Sequence, residues 1–188
     1  SIKETSWKVL LDSSIKQNHL KKEQRKLPNS ICFIDGHYSL AASSLRKDSD
    51  INISSLSDYI YKNPEFKSTL FNNPSDYAEN RLSGIKDKKP TYFISLNSLL
   101  SSGTVIEVEK AKNINETINI IHSFSNIEPE VVINPYIVIV CKEGSKASFQ
   151  EVSNTVESWN NNLKEIFIRK DSILTFSSLQ ERISTGIK

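Results

Sequence analysis

The chain has 188 residues, of which 37% are hydrophobic and 24% charged, and its formal net charge is +2. That is enough apolar material for one domain, or one domain with a small appendage, and it excludes wholesale disorder. The small net charge excludes a dominant electrostatic footprint for nucleic acid, and no apolar run approaches the ~20 residues needed to cross a bilayer.

The first residues, Ser1 to Trp7, are polar and charged and do not read as a signal peptide. Cys32 and Cys141 lie far apart with no Cys-x-x-Cys pairing, which fits a reducing compartment, so a cytoplasmic location is expected. The sequence contains no methionine, which suggests a segment of a longer product.

In chain order, Val9, Leu10, Leu11 and Ile15 suit a short amphipathic helix or a docking strand, with Trp7 as its anchor. The basic run Lys21–Lys26 reads as a solvated linker rather than a phosphate-binding patch. Ile31-Cys32-Phe33-Ile34, then Asp35-Gly36, then His37-Tyr38-Ser39-Leu40 is the pattern of a β-hairpin near 31–40. Residues 48–52 read as a polar loop. Ser54-Ser55-Leu56-Ser57-Asp58 can cap a helix, and Leu56, Tyr59, Ile60, Phe66, Leu70 and Phe71 are its apolar positions. Pro64 divides this region, near 56–71, into two short helices. Tyr92, Phe93, Leu96, Leu99 and Leu100 recur at helical spacing and predict a helix over 91–101.

From Ser102 onward the pattern changes. Val105–Val108, Ile137–Val140 and Glu165–Ile168 are strand-like runs, each followed by a polar corner. A second run follows each corner: Ile118–Ile121, Ala147–Val152 and Ile173–Phe176. The unit of strand, corner, strand and link recurs at roughly 30 residues, a period typical of stacked repeats. One such unit cannot close a core, but layers of it can. The expected fold is therefore mostly β, with a helical amino-terminal part at 1–101 and a right-handed parallel β-helix-like solenoid at 102–188, truncated in its stack. An antiparallel sandwich is the alternative.

In order along the chain, Trp7-Lys8, Ile31–Ser39, Tyr92–Asn97, Gly103–Val108, Ile118–His122 and Asn134–Val140 with Glu143-Gly144 together resemble the SufD family of the Suf iron–sulfur cluster assembly system. The resemblance departs at Tyr136, where the family usually has Arg, and at Thr117, where Pro is common. It implies a non-catalytic scaffold subunit that pairs with SufB and with the ATPase SufC, with the cluster assembled on the full complex. The family continues into further coils and a carboxy-terminal helical region that holds SufC. No catalytic, cofactor or metal residue is therefore assigned in this segment, and no cofactor is expected to be bound by it. A stack ending near Ile173–Ile183 would also be prone to self-association.

Two other functions would set different demands on the sequence. A polysaccharide-acting or carbohydrate-binding β-helix would need clustered carboxylates, whereas Glu107, Glu109 and Glu116 read as scattered on solvated surface. Direct iron or cluster binding would call on Cys32, Cys141, His37 and His122, but such sites usually need several neighbouring thiolates, so buried structural cysteines are expected. The sequons at Asn52 and Asn115 read as chance matches.

Overall fold

Strands dominate the computed structural model, which describes residues 27–46, 49–70, 103–123, 132–155 and 159–182. The amino-terminal segment with Trp7 and the helix expected at 91–101 lie outside the described residues.

The hairpin comes first. Strand β1 (Ser30–Ile34) pairs antiparallel with β2 (His37–Tyr38), Phe33 opposite Tyr38. Asp35 and Gly36 both have positive φ, 49° and 84°, the geometry that matches a two-residue turn to the twist of its strands.

β3 (Ile51–Ser55) follows, where a polar loop was expected from 48 to 52. It pairs antiparallel with β4 (Thr104–Val108). Alternation explains the miss: Ile51 and Ile53 pack against the core while Asn52 stays exposed, and five residues with only two apolar positions read weakly without their partner strand. Helix α1 (Leu56–Lys62) starts on Ser55, whose hydroxyl accepts the Asp58 N–H at 3.1 Å, and Asp58 favours the positive end of the helix. It stops at Asn63, and Pro64 opens a 3-10 helix (Pro64–Thr69) rather than a second α-helix.

The remaining strands are β5 (Ile118–Ser123), β6 (Val132–Ile133), β7 (Tyr136–Cys141), β8 (Lys146–Thr155), β9 (Trp159–Asn160), β10 (Leu163–Ile168) and β11 (Ile173–Arg182). They lie side by side in parallel across the repeats. The first runs form the ladder β4–β7–β10, the second runs form β5–β8–β11, and a short ladder joins β6 to β9. Parallel pairing rules out the antiparallel sandwich for these strands. β1 and β2 extend the second ladder, in the order β11-β8-β5-β1-β2, and β3 extends the first, in the order β10-β7-β4-β3. The result is two mixed sheets. Strands from before residue 102 thus share sheets with those after it.

The two larger sheets share one core. Ile31, Phe33, Ile118, Ile120 and Phe149 of one face Ile106, Val108, Ile137, Ile139 and Cys141 of the other. A second cluster covers the outer side of the β4–β7–β10 ladder, where Leu56, Tyr59, Ile60, Phe66 and Leu70 pack on Val105, Tyr136, Val138, Val140, Leu163 and Phe167. Burying two such apolar layers supplies the main folding force, at ~25 cal/mol per Å².

Candidate functional site

The interior is not apolar throughout. One row across the second ladder reads Ile31, Ile120, Glu151, Ser178 at a single register level. Glu151 therefore occupies an inward position, beside Phe149 and two residues along the strand from it. On the facing sheet, the row Thr104, Ile137, Lys164 ends in a lysine.

These groups meet. Glu151 and His122 are 3% and 2% exposed. Lys164 Nζ lies 2.7 and 2.9 Å from the two carboxylate oxygens of Glu151. His122 Nε2 stands 2.8 Å from Oε1, Ser178 Oγ donates to Oε2 at 2.8 Å, and Asn162 Nδ2 donates to Oε1 at 3.2 Å. A carboxylate only accepts, so Nε2 of His122 carries the proton of that bond. Phe33, the cross-strand neighbour of His122, stacks on its ring at 5.4 Å between centroids. Lys164 also lies over the Phe176 ring, 6.0 Å from its centroid.

Burial by itself pushes the Glu151 carboxyl up. The bond from His122, the bond and charge of Lys164 and the bond from Ser178 outweigh it and bring the carboxyl down to about 2. Glu151 is thus a carboxylate with its oxygens occupied by four donors. Such a group does not take up a proton readily; it ties β5, β8, β10 and β11 together. Among the described residues, this cluster is the largest convergence of buried polar groups, and sequence reasoning passed over it. The alternation Ala147, Phe149, Glu151 was the available signal.

Glu107 and Glu109 are not loose surface charges either. Glu107 is 8% exposed, accepts the Tyr59 hydroxyl at 2.7 Å and pairs with Lys142 at 2.8 Å. Lys142 also reaches Glu109 at 3.1 Å. Burial lowers the Lys142 ammonium, but bonds and charge from both glutamates outweigh it and raise it. Tyr59 and Tyr136 are held neutral by burial and by donating to Glu107 and Glu165. Glu116, at the surface, pairs with Arg46 at 2.9 Å and bonds Asn29.

The candidate iron ligands Cys32, Cys141, His37 and His122 do not form a cluster among the described residues. Cys141 is in the core, and burial pushes its thiol up to about 11. Cys32 is buried on the other face of β1 from Ile31 and Phe33, near Ser30 Oγ. His37 is exposed beside the hairpin turn, and His122 is committed to Glu151. Among the described residues, no group of three or more His, Cys, Asp or Glu could hold a metal ion, and no helix is long and apolar enough to cross a membrane.

The second notable feature is an edge. β10 and β11 end their sheets, and among the described residues no strand pairs with their far sides. Ile166 and Ile168 lie in the rows of Ile139 and Cys141, yet they are 40% and 53% exposed, whereas Ile139 and Cys141 are wholly buried. Among the described residues, no strand covers this row of interior side chains.

No family model matches the sequence, and no curated protein matches it.

Proposed function

We propose that this chain is a stacked-coil scaffold of the SufD kind, built as a right-handed parallel β-helix-like solenoid. In this reading the chain is a non-catalytic cytoplasmic subunit that pairs with SufB and the SufC ATPase, on whose complex iron–sulfur clusters are assembled. The observation that carries it is the set of three parallel ladders, each joining corresponding strands of successive repeats. The segments that resemble SufD, Ile31–Ser39, Gly103–Val108, Ile118–His122 and Asn134–Val140, supply strands or corners of those ladders. A scaffold needs stiffness, and the Glu151 cluster supplies it by tying four strands together. The polysaccharide-acting alternative gains nothing from the geometry, because Glu107 and Glu151 are buried with their oxygens occupied.

The test is co-purification. A form of the chain extended through further coils and the carboxy-terminal helical region, expressed with SufB and SufC, should elute with both. Elution apart from both partners would refute the assignment.

A further inference from the structure

Away from the Glu151 cluster, three strand entries converge on the flank of the first layer. Asn29 stands immediately before β1, Asp50 immediately before β3, and residues 113–116 lead from the corner after β4 into β5. Together with Arg46, Ser49 and Ile118 they line a cleft of about 200 Å³, and every lining residue is among the described ones.

The cleft is built on fixed backbone. Asn29 and Asp50 have positive φ, 49° and 51°, a conformation that Asn and Asp adopt at less cost than other residues with a Cβ. Asn29 O accepts the Asn119 N–H at 2.8 Å, Asp50 O accepts the Glu109 N–H at 3.0 Å, and Ile114 N–H donates to Lys146 O at 2.9 Å. The walls are also tied to each other. Arg46 pairs with one oxygen of Glu116 at 2.9 Å, and Asn29 Nδ2 donates to the other. Lys112, outside the lining, pairs with Asp50 at 3.0 Å.

These contacts leave a particular set of groups unused. Arg46 gives one nitrogen to Glu116, and a guanidinium carries five N–H donors. Lys112 takes one oxygen of Asp50, and the second has no partner among the described residues. The side chains of Ser49, Asn113 and Asn115 have none among them either. Charge then selects the ligand. Arg46 and Lys112 balance Asp50 and Glu116, so the site is neutral as a whole. A lone cation would face Arg46 and Lys112, and a lone anion would face Asp50 and Glu116. A molecule carrying both charges, one end for Arg46 and one for Asp50, meets neither repulsion. At the ~30 Å³ that one water occupies, there is room for roughly seven groups of that size. No aromatic side chain lines the cleft to stack a base or a sugar ring.

We propose that this cleft binds a small zwitterion, a free α-amino acid with a short polar side chain. Its carboxylate lies on Arg46, its ammonium on the open oxygen of Asp50, and its side chain by the amides of Asn113 and Asn115. Glu116 holds Arg46 in place and leaves the ligand to the other groups. Binding here requires neither SufB nor SufC, so it is independent of the SufD reading.

The test is a titration of the isotope-labelled full 188-residue chain, followed by its amide chemical shifts. The probes are L-serine and L-asparagine, with three relatives of serine: ethanolamine lacks the carboxylate, 3-hydroxypropanoate lacks the ammonium, and glycerol lacks both. At least one of the two amino acids should saturate with a Kd below about 1 mM, and L-serine should bind at least about tenfold tighter than its three relatives. The shifts should centre on residues 46–50 and 113–118. Asp50→Asn should erase the preference over 3-hydroxypropanoate, and Arg46→Gln the preference over ethanolamine. Both side chains are substantially exposed, at 40% and 66%, and exposed ion pairs contribute little to stability, so both variants should keep the parent melting temperature.

No saturable binding of either amino acid, or shifts centred elsewhere, overturns the assignment. Serine binding no tighter than that of glycerol or of a singly charged relative does the same, and so do preferences that survive both substitutions. A failed co-purification with intact amino-acid binding refutes the SufD reading alone, and the reverse result refutes this site alone.

Discussion

Glu151 shows how one side chain can be costly to bury and still hold a structure together. Moving a carboxylate from water into the space between two sheets is unfavourable by several kcal/mol, and only close counter-charges and hydrogen bonds offset it. Here the offset comes from four residues on three strands and one link. Glu151→Ala should leave Lys164 and the N–H of His122 without an acceptor and destabilise the fold by about 3–5 kcal/mol. The double variant Glu151→Leu/Lys164→Met should recover most of that loss, because an apolar pair of similar volume removes both charges together. Urea unfolding midpoints at unchanged slope would measure both; a Glu151→Ala variant as stable as the parent would show the cluster to be energetically idle. The pH dependence has a definite sign. The Glu151 carboxyl lies near 2 in the folded chain, below its ordinary 4.5. Its contribution is complete above about pH 4.5 and is lost as pH falls towards 2. Glu151→Gln should flatten that part of the acid limb. Inward placement of Glu151 was legible from the period-2 pattern Ala147, Phe149, Glu151. Its partners were not, because Lys164 belongs to the other sheet and Ser178 to the next repeat.

At the scale of the element, the turns decide where each strand starts and stops. Asp35-Gly36 is a local signal, and a local signal survives without tertiary help; the hairpin β1–β2 was legible for that reason. The helix start at Ser55 was legible in the same way, since a hydroxyl three residues before Asp58 reaches its N–H whatever else surrounds it. β3 was not legible, because a five-residue strand with alternating polar positions exists only through its pairing with β4. Two glycines test how the elements fit. Gly103, at φ 65°, lies under α1, and a Cβ there would sit 2.8 Å from both Cβ and Cδ2 of Leu56. Gly144, at φ 69°, has nothing nearer than 3.7 Å, and its place in the preceding corner is taken by Ala111 at φ 56°. Gly103→Ala should therefore cost well over ~1 kcal/mol, by strain plus a clash with the helix, while Gly144→Ala should cost about 1 kcal/mol or less. Paired thermal melts check the order, and an equal loss at both sites would contradict the packing of α1 on β4.

For the whole molecule, stability should be graded across the sheets. β4 and β7 are paired on both edges and covered on both faces, and their residues are almost wholly buried. Among the described residues, β10 and β11 are bound on one edge only, and Ile166, Ile168, Ile173 and Leu179 are at 40–56% exposure. Native-state hydrogen exchange should find the amides of β4 and β7 opening only with global unfolding, and those of β10 and β11 opening at a lower free energy. Uniform protection across all four strands would contradict this grading.

The sequence by itself determined where strands recur, where they turn and that they repeat, because alternation, turn chemistry and period are properties of neighbours along the chain. Only the tertiary structure decided that the repeats pair in parallel, that β1 and β3 join the sheets of the later strands, and that Glu107 and Glu151, rather than Glu109 or Glu116, are the buried carboxylates. Those outcomes depend on groups tens of residues apart meeting across a sheet or between two, and the free energy of a buried charge is set by whichever partners the fold delivers to it.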